Sequence, residues 1–184
     1  MTRRDIPNLI SVFRLLLVLP IAYLLYEKQL GFALTLFVVA GISDGVDGYL
    51  AKRNDWASGL GAFLDPLADK TLLITSYLVL GWIGLFPLWL VVAVISRDAI
   101  IVIGSLAYFV LIGRVEMSPS IISKVNTGAQ IALVVMLLLT SIFGGLEAII
   151  EPMAYIVFAT TLLSGMDYVW VWGKKAWQNR SQPQ

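Results

Sequence analysis

The stretch Phe32-Ala-Leu-Thr-Leu-Phe-Val-Val-Ala-Gly-Ile-Ser-Asp44-Gly-Val-Asp47-Gly-Tyr49 decides how this chain is read. It opens as an unbroken apolar run and closes on two aspartates. Downstream the order is reversed: Gly61-Ala-Phe-Leu-Asp65-Pro-Leu-Ala-Asp69-Lys70 leads into an apolar run that lasts to Ile83. Carboxylates bordering such runs are costly to desolvate and require a counter-ion or a function. Asp44 and Asp47 are spaced i, i+3, and Asp65 and Asp69 i, i+4, so each pair falls on one face of a helix. The connection between the two runs is short, which lets the helices be neighbours and the four acids converge. Four like charges do not stay ionised together without cations. Hard oxygen ligands suit Mg²⁺, Mn²⁺ or Ca²⁺, and two ions about 3.5–4 Å apart are the usual arrangement for phosphoryl chemistry. The alternative is that the acids cap helices or pair with Lys52, Arg53 and Lys70. The interleaved Gly45, Gly48, Gly59 and Gly61 fit close helix packing, and Gly48 and Gly61 equally fit a nucleotide lying against bare backbone.

Outward from this centre the whole chain has the same character. Its 184 residues are 59% hydrophobic and 14% charged, whereas a soluble domain is roughly 45–50% apolar and about 25% charged. Lipid is the solvent such a surface requires. Six apolar stretches can be marked, at about Leu9–Tyr26, Phe32–Tyr49, Pro66–Ile83, Leu88–Leu111, Ile121–Ile142 and Pro152–Trp172. At ~1.5 Å per residue each is long enough to cross a hydrocarbon core of roughly 30 Å, and only a helix satisfies its own backbone there. The expected fold is therefore all-α, an integral membrane protein of six transmembrane helices. With the N-terminus cytoplasmic, the inner segments carry Arg3, Arg4, Lys52, Arg53, Arg114, Lys174, Lys175 and Arg180, and the outer ones only Lys28. That asymmetry predicts both termini on the cytoplasmic side, with an aromatic belt at Trp170, Trp172 and Trp177. The expected organisation is one domain over 1–184, with a short N-terminal segment 1–8 and a solvated tail 174–184 that favours anionic lipid. The first apolar run is too long for a signal-peptide core and lacks a small-residue cleavage site, so it reads as a retained helix. The absence of cysteine and histidine excludes disulfides, thiolate zinc and imidazole catalysis.

The segment Asp44-Gly-Val-Asp47-Gly48-Tyr-Leu-Ala51-Lys52, eight residues, then Gly61-Ala-Phe-Leu-Asp65-Pro-Leu-Ala-Asp69 resembles the signature D-x-x-D-G-x-x-A-R-x8-G-x3-D-x3-D of the CDP-alcohol phosphotransferases. Every fixed position matches except the arginine, which is Lys52 here with Arg53 beside it; lysine keeps the charge but loses the bidentate fork. The resemblance implies six spans and a homodimer. It also implies that Asp44, Asp47, Asp65 and Asp69 hold two divalent cations, Mg²⁺ or Mn²⁺, and that Asp69 is the general base on the acceptor hydroxyl. Asp44, Gly48, Ala51, Lys52, Gly61 and Asp65 would form the CDP site, Gly48, Ala51 and Gly61 lining the cytidine and Lys52 facing the diphosphate. Pro7-Asn8-x-x-Ser11-x-x-Arg14 looks like the family's N-terminal segment near the same site, which makes Asn8 and Arg14 further candidates; Arg14 otherwise snorkels to the inner interface.

Two more clusters bear on the acceptor. Ser96-Arg97-Asp98 lies in the fourth stretch and Ser123-Lys124-Val125-Asn126-Thr127 opens the fifth. Arg97 and Lys124 are read as buried cations for an acceptor phosphate, or else as partners of Asp98 and the acidic cluster. Phosphatidylglycerophosphate synthases resemble this chain closely but usually carry a second arginine one to two turns on, where Gly104 and Ser105 stand, and a second lysine where Asn126 stands. Fewer cations suit a phosphodiester better than a dianionic monoester. Ile95-Ser-Arg-Asp98 and Ile122-Ser-Lys-Val-Asn-Thr127 resemble cardiolipin synthases of the mitochondrial type. The expected partners are thus CDP-diacylglycerol, a phospholipid or glycerophosphate acceptor and the bilayer, with no nucleic acid. The expected location is a bacterial inner membrane with the active site at its cytoplasmic face. The reading from another class is a cation-binding transporter or a non-catalytic scaffold, against which stands the clustering of acids at one interface.

Overall fold

The structure, a computed structural model, describes residues 6–54, 61–112 and 120–180, and within these the side chains of 6–8, 47–54, 61–66, 105–112 and 172–180 lie outside the described set. The described residues form helices α1 (Ile6–Tyr26), α2 (Leu30–Asn54), α3 (Gly61–Trp82), α4 (Leu88–Ile112), α5 (Ile121–Phe143) and α6 (Glu147–Arg180). The fold is all-helical, and each helix contains or overlaps one of the six apolar stretches. The differences lie at the ends. α1 begins at Ile6, inside the expected N-terminal segment, since Pro7 is tolerated in a first turn whose N–H groups need no intrahelical partner. α6 runs on to Arg180 through the expected tail.

Among the described residues, three segments are long and apolar enough to cross a membrane: Leu9–Tyr26 in α1, Ile121–Phe143 in α5 and Glu147–Val171 in α6. Among the described residues α2 offers a shorter apolar segment, Leu30–Val46.

The chain divides into two compact units, residues 1–86 with 134–145 and residues 87–133 with 146–184. In the first, α1 packs against both α2 and α3. The buried face of α1 is the row Ser11, Arg14, Val18, Ile21 and Leu25, which is helical spacing. α2 buries Ala33, Phe37 and Ala40, and one further turn along this row stands Asp44. α3 buries Leu73, Ser76, Tyr77 and Leu80, and one turn back stands Asp69. Ala33 and Ala40 are small enough to let two helix backbones approach closely.

In the second unit α4 packs against α6. Trp89 stacks on Tyr155 at 5.3 Å between ring centroids and meets Phe158 edge-on at 5.2 Å. Further along, Arg97 reaches Ser164 and Tyr168 reaches Ile101, so α4 and α6 run parallel. The first half of α5 runs opposite to α6, because Ser123 bonds the residue that bonds Ser164, while Asn126 meets Thr160.

The turns obey local rules. Gly84, Gly144 and Gly145 supply the positive φ angles at two of the helix ends. After α1 this conformation falls to Lys28, at φ 57°. Its N–H donates to Leu25 O at 3.1 Å and that of Gln29 to Leu24 O at 2.9 Å, the Schellman pattern in which glycine is usual. A side chain there is strained by about 1 kcal/mol. Lys28→Gly is expected to stabilise the protein by roughly 0.5–1 kcal/mol, the relief being offset in part by the greater freedom of the unfolded chain; thermal unfolding in detergent reads this.

Candidate active site

The buried rows of the first unit end in charge. Arg14 is fully buried, and its Nη1 donates to Asp44 Oδ1 at 2.5 Å and to Asp69 Oδ1. One nitrogen thus uses its two hydrogens to tie α1 to α2 and to α3. The carboxylates are themselves accessible, with side-chain exposures of 45% for Asp44 and 41% for Asp69. The guanidinium forms the floor of the cluster and the two acids its open side.

Asp44 and Asp69, 25 residues apart in sequence, are therefore brought together as expected. The side chains of Asp47 and Asp65 lie outside the described residues, as do those of Asn8, Gly48, Ala51, Lys52 and Gly61. α2 is continuous through 44 and 47 and α3 through 65 and 69, so the expected helical spacings hold in the backbone. Asp65 is a full turn inside α3, too far in for an N-cap. Among the described residues no group of three or more potential metal ligands is assembled. What is assembled is a pair of half-exposed carboxylates already bridged by a cation, an oxygen donor set that fits a hard divalent ion. Arg14 does not snorkel, because it sits on the buried row of α1 and the acids draw it inward. Of the glycines, Gly45 is open: a Cβ there would meet nothing within 4 Å. Close packing among the described residues is not the reason for it.

The second unit has its own buried charge. Arg97 and Asp98 are both buried, and Arg97 Nη1 donates to Asp98 Oδ1 at 2.6 Å. Arg97 Nε donates to Ser164 Oγ at 3.2 Å, and Nη2 donates to Ser123 Oγ at 2.6 Å and to Ser164 Oγ. The pairing with Asp98, weighed as an alternative from sequence, is present. Lys124 corrects the reading of a buried cation: it is exposed. The buried row of α5 is Asn126, Gln130, Leu133 and Leu137, and residue 124 is out of phase with it. Asn126 is buried, and its Oδ1 accepts from Thr160 and Thr161, each at 2.9 Å. A lysine at 126 would lie among these hydroxyls.

Gly104 stands close to Tyr168. A Cβ at 104 would come within 3.0 Å of Tyr168 Cε1 and 3.1 Å of its hydroxyl oxygen, and that hydroxyl donates to Ile101 O at 3.0 Å. The tyrosine occupies the room a longer side chain at 104 would need.

Sequence reasoning overlooked Thr160, Thr161, Ser164 and Tyr168, which complete the polar lining of α6. The signal was available, since Thr161 and Ser164 continue the buried row Ala154, Val157 at helical spacing.

With these features in place, comparison with known proteins defines the class. A family model described as CDP-alcohol phosphatidyltransferase matches residues 4–165, and the chain belongs to that family. It is similar to a protein named cardiolipin synthase (CMP-forming) from Rattus norvegicus, 32% identical over 191 residues that cover 94% of this chain. The human protein of the same name is 31% identical over the same length. A Bacillus subtilis relative, named CDP-diacylglycerol–glycerol-3-phosphate 3-phosphatidyltransferase, is 34% identical over 138 residues, 72% of this chain and 69% of that one. The match covers 63% of the length of the rat and human relatives.

Two measurements test this geometry. Arg14→Ala leaves two adjacent carboxylates without their cation. Since the arginine is buried and the acids are half-exposed, the loss falls between that of a surface pair and a buried one, about 2 kcal/mol. It should appear as a lowered thermal midpoint in chelator, largely restored by Mn²⁺. Gly104→Ala crowds Tyr168, a cost of about 1–3 kcal/mol offset by roughly 1 kcal/mol of helix propensity, and the double change with Tyr168→Ala should cost less than the sum of the two.

Proposed function

We propose that the protein transfers a phosphatidyl group from CDP-diacylglycerol to the free hydroxyl of phosphatidylglycerol, releasing CMP and forming cardiolipin. The observation that carries the reaction class is the bridged pair Asp44 and Asp69, set in the spacing pattern of the family to which the chain belongs. In this reading Asp44, Asp47, Asp65 and Asp69 hold two divalent cations, Mg²⁺ or Mn²⁺, with Arg14 as the internal cation beneath them. Bound ions would supply neutralisation of the donor diphosphate and of the charge that builds on the entering and leaving oxygens. Gly48, Ala51 and Gly61 line the cytidine, Lys52 faces the diphosphate, and the open space at Gly45 favours close approach of a ligand. Asp69 accepts the proton of the acceptor hydroxyl. The hydroxyl oxygen bonds to the phosphorus that carries diacylglycerol, the bond from that phosphorus to the oxygen of CMP breaks, and CMP leaves with the electron pair.

The second unit supports this choice of acceptor. Arg97 and Lys124 bind its phosphate, with Asp98 and Asn126 beside them. Arg97 is already neutralised by Asp98, and Tyr168 fills the room beside Gly104 that a second buried cation would use. This is weak provision for a dianion and adequate for a phosphodiester. The similarity to relatives named cardiolipin synthase points the same way, while the name of the Bacillus subtilis relative favours glycerol 3-phosphate. The chain acts as one domain of six spans with both termini cytoplasmic, as a homodimer in a bacterial inner membrane, with its active site at the cytoplasmic face.

CMP release by the purified protein with CDP-diacylglycerol and Mg²⁺ or Mn²⁺ tests this, offering phosphatidylglycerol and glycerol 3-phosphate in parallel. Turnover is expected with phosphatidylglycerol, and Asp69→Asn is expected to lower it by about 10²–10⁴, the range for loss of a general base, while CDP-diacylglycerol still binds. Turnover with glycerol 3-phosphate alone would reassign the acceptor. No CMP release with either would return the chain to the transporter or scaffold reading.

A further inference from the structure

The polar cluster at Arg97 borders a cavity of about 860 Å³ between α4 and α6, within the roughly 300–1,000 Å³ typical of small-molecule sites. Its walls are apolar, formed by Ile100 of α4 and by Leu162, Met166 and Val169 of α6, and Arg97 is the charged residue in the lining. The apolar wall residues are open to the surroundings, Met166 by 66%, whereas Arg97 is buried. The cavity is an apolar slot with Arg97 in its wall. A second cavity, of about 500 Å³ and lined by α1 and α2 residues such as Phe13 and Val39, has no charged residue among the described residues of its lining.

Two details adapt the α4–α6 slot to a ligand. Gly165 leaves it unobstructed beside the arginine: a Cβ there would stand 3.8 Å from Arg97 Cγ, and any longer side chain would lie across the slot. The guanidinium also keeps capacity. Its four hydrogen bonds to Ser164, Ser123 and Asp98 leave one of its five N–H groups, on Nη1, for another acceptor among the described residues. With Asp98 already paired to it, the site adds one hydrogen bond and little net charge, which suits a monoanionic phosphodiester.

We infer that the α4–α6 slot holds one acyl chain of the acceptor phospholipid, with the phosphodiester of that lipid at Arg97. This rests on the acceptor role given to Arg97 above and adds where the tail lies. The ligand class is a diacyl phospholipid, phosphatidylglycerol, because the reading above makes it the acceptor and because the slot takes a chain that glycerol 3-phosphate lacks.

The test is photolabelling of the full chain in phosphatidylcholine nanodiscs with phosphatidylglycerol carrying a diazirine on its acyl chain, mapped by peptide mass spectrometry. Labelling of α4 near Ile100 and of α6 near Met166 is expected to exceed that of the lipid-facing Leu16 and Leu19 of α1 by about tenfold. Excess unlabelled phosphatidylglycerol should remove it and excess phosphatidylcholine should not. Gly165→Trp, which obstructs the slot, should lower it by a similar factor, and so should Met166→Trp, whose exposed position spares the fold. Uniform labelling, indifference to both tryptophans, equal displacement by CDP-diacylglycerol, or crosslinking of these residues to a second copy of the chain would each overturn the inference. Labelling needs no turnover. A labelled slot in a protein that uses only glycerol 3-phosphate would refute the acceptor assignment and leave the lipid site standing, and cardiolipin formation without slot labelling would do the reverse.

Discussion

A single guanidinium nitrogen shared between two carboxylates is the constraint on which the first unit depends. Asp44 and Asp69 sit on rows of α2 and α3 whose other members are apolar and buried. Left alone, the acids would push the ends of these helices apart, because like charges this close repel strongly where water is scarce. Arg14 removes the conflict from below, and because it is buried it has no alternative partner in bulk water. The same bond therefore holds three helices together and keeps two acids accessible. Among the described contacts one cation faces two anions, an arrangement that suits a divalent ion at the open side.

The second unit solves a similar problem differently. Arg97 and Asp98 are adjacent in sequence and buried together, so the pair is neutral from the start, and hydroxyls from α5 and α6 satisfy most of the remaining guanidinium N–H groups. A buried pair of this kind adds little to stability by itself, because the desolvation of both ions offsets their attraction. Its value lies in geometry: a cation fixed in a largely apolar wall, with α4 and α6 held parallel by contacts on either side of it. Tyr168 and Gly104 belong to the same packing, and their fit excludes a second long side chain.

Much of this was legible in the sequence. The six helices followed from the apolar runs, and the meeting of Asp44 with Asp69 followed from their spacing and the short connection. Residue type alone did not settle where each polar group pointed. Lys124 was read as buried because it opens an apolar helix, but the phase of Asn126, Gln130, Leu133 and Leu137 puts it outside. Arg14 was read as either snorkelling or functional, although the row Ser11, Arg14, Val18, Ile21 and Leu25 already sets it on the packed face. The fit of Tyr168 over Gly104 had no sequence signal, since it depends on how two parallel helices meet.

A common design links these details. In both units the buried rows are mostly apolar with a few polar groups set among the described residues: Arg14 and Ser11 on α1, Ser76 on α3, Arg97 and Asp98 on α4, Asn126, Gln130 and Thr140 on α5, Thr161 and Ser164 on α6, while Asp44 and Asp69 continue the rows of α2 and α3. Where a helix packs in lipid the hydrophobic effect does not distinguish protein from acyl chain, so fit and polar contacts must specify the partner. Polar groups set into these rows provide that specification, and they leave the apolar remainder free to border lipid. In the proposed reaction, whose lipid substrates carry charged heads and apolar tails, the groups that specify the packing are then also the groups available for chemistry.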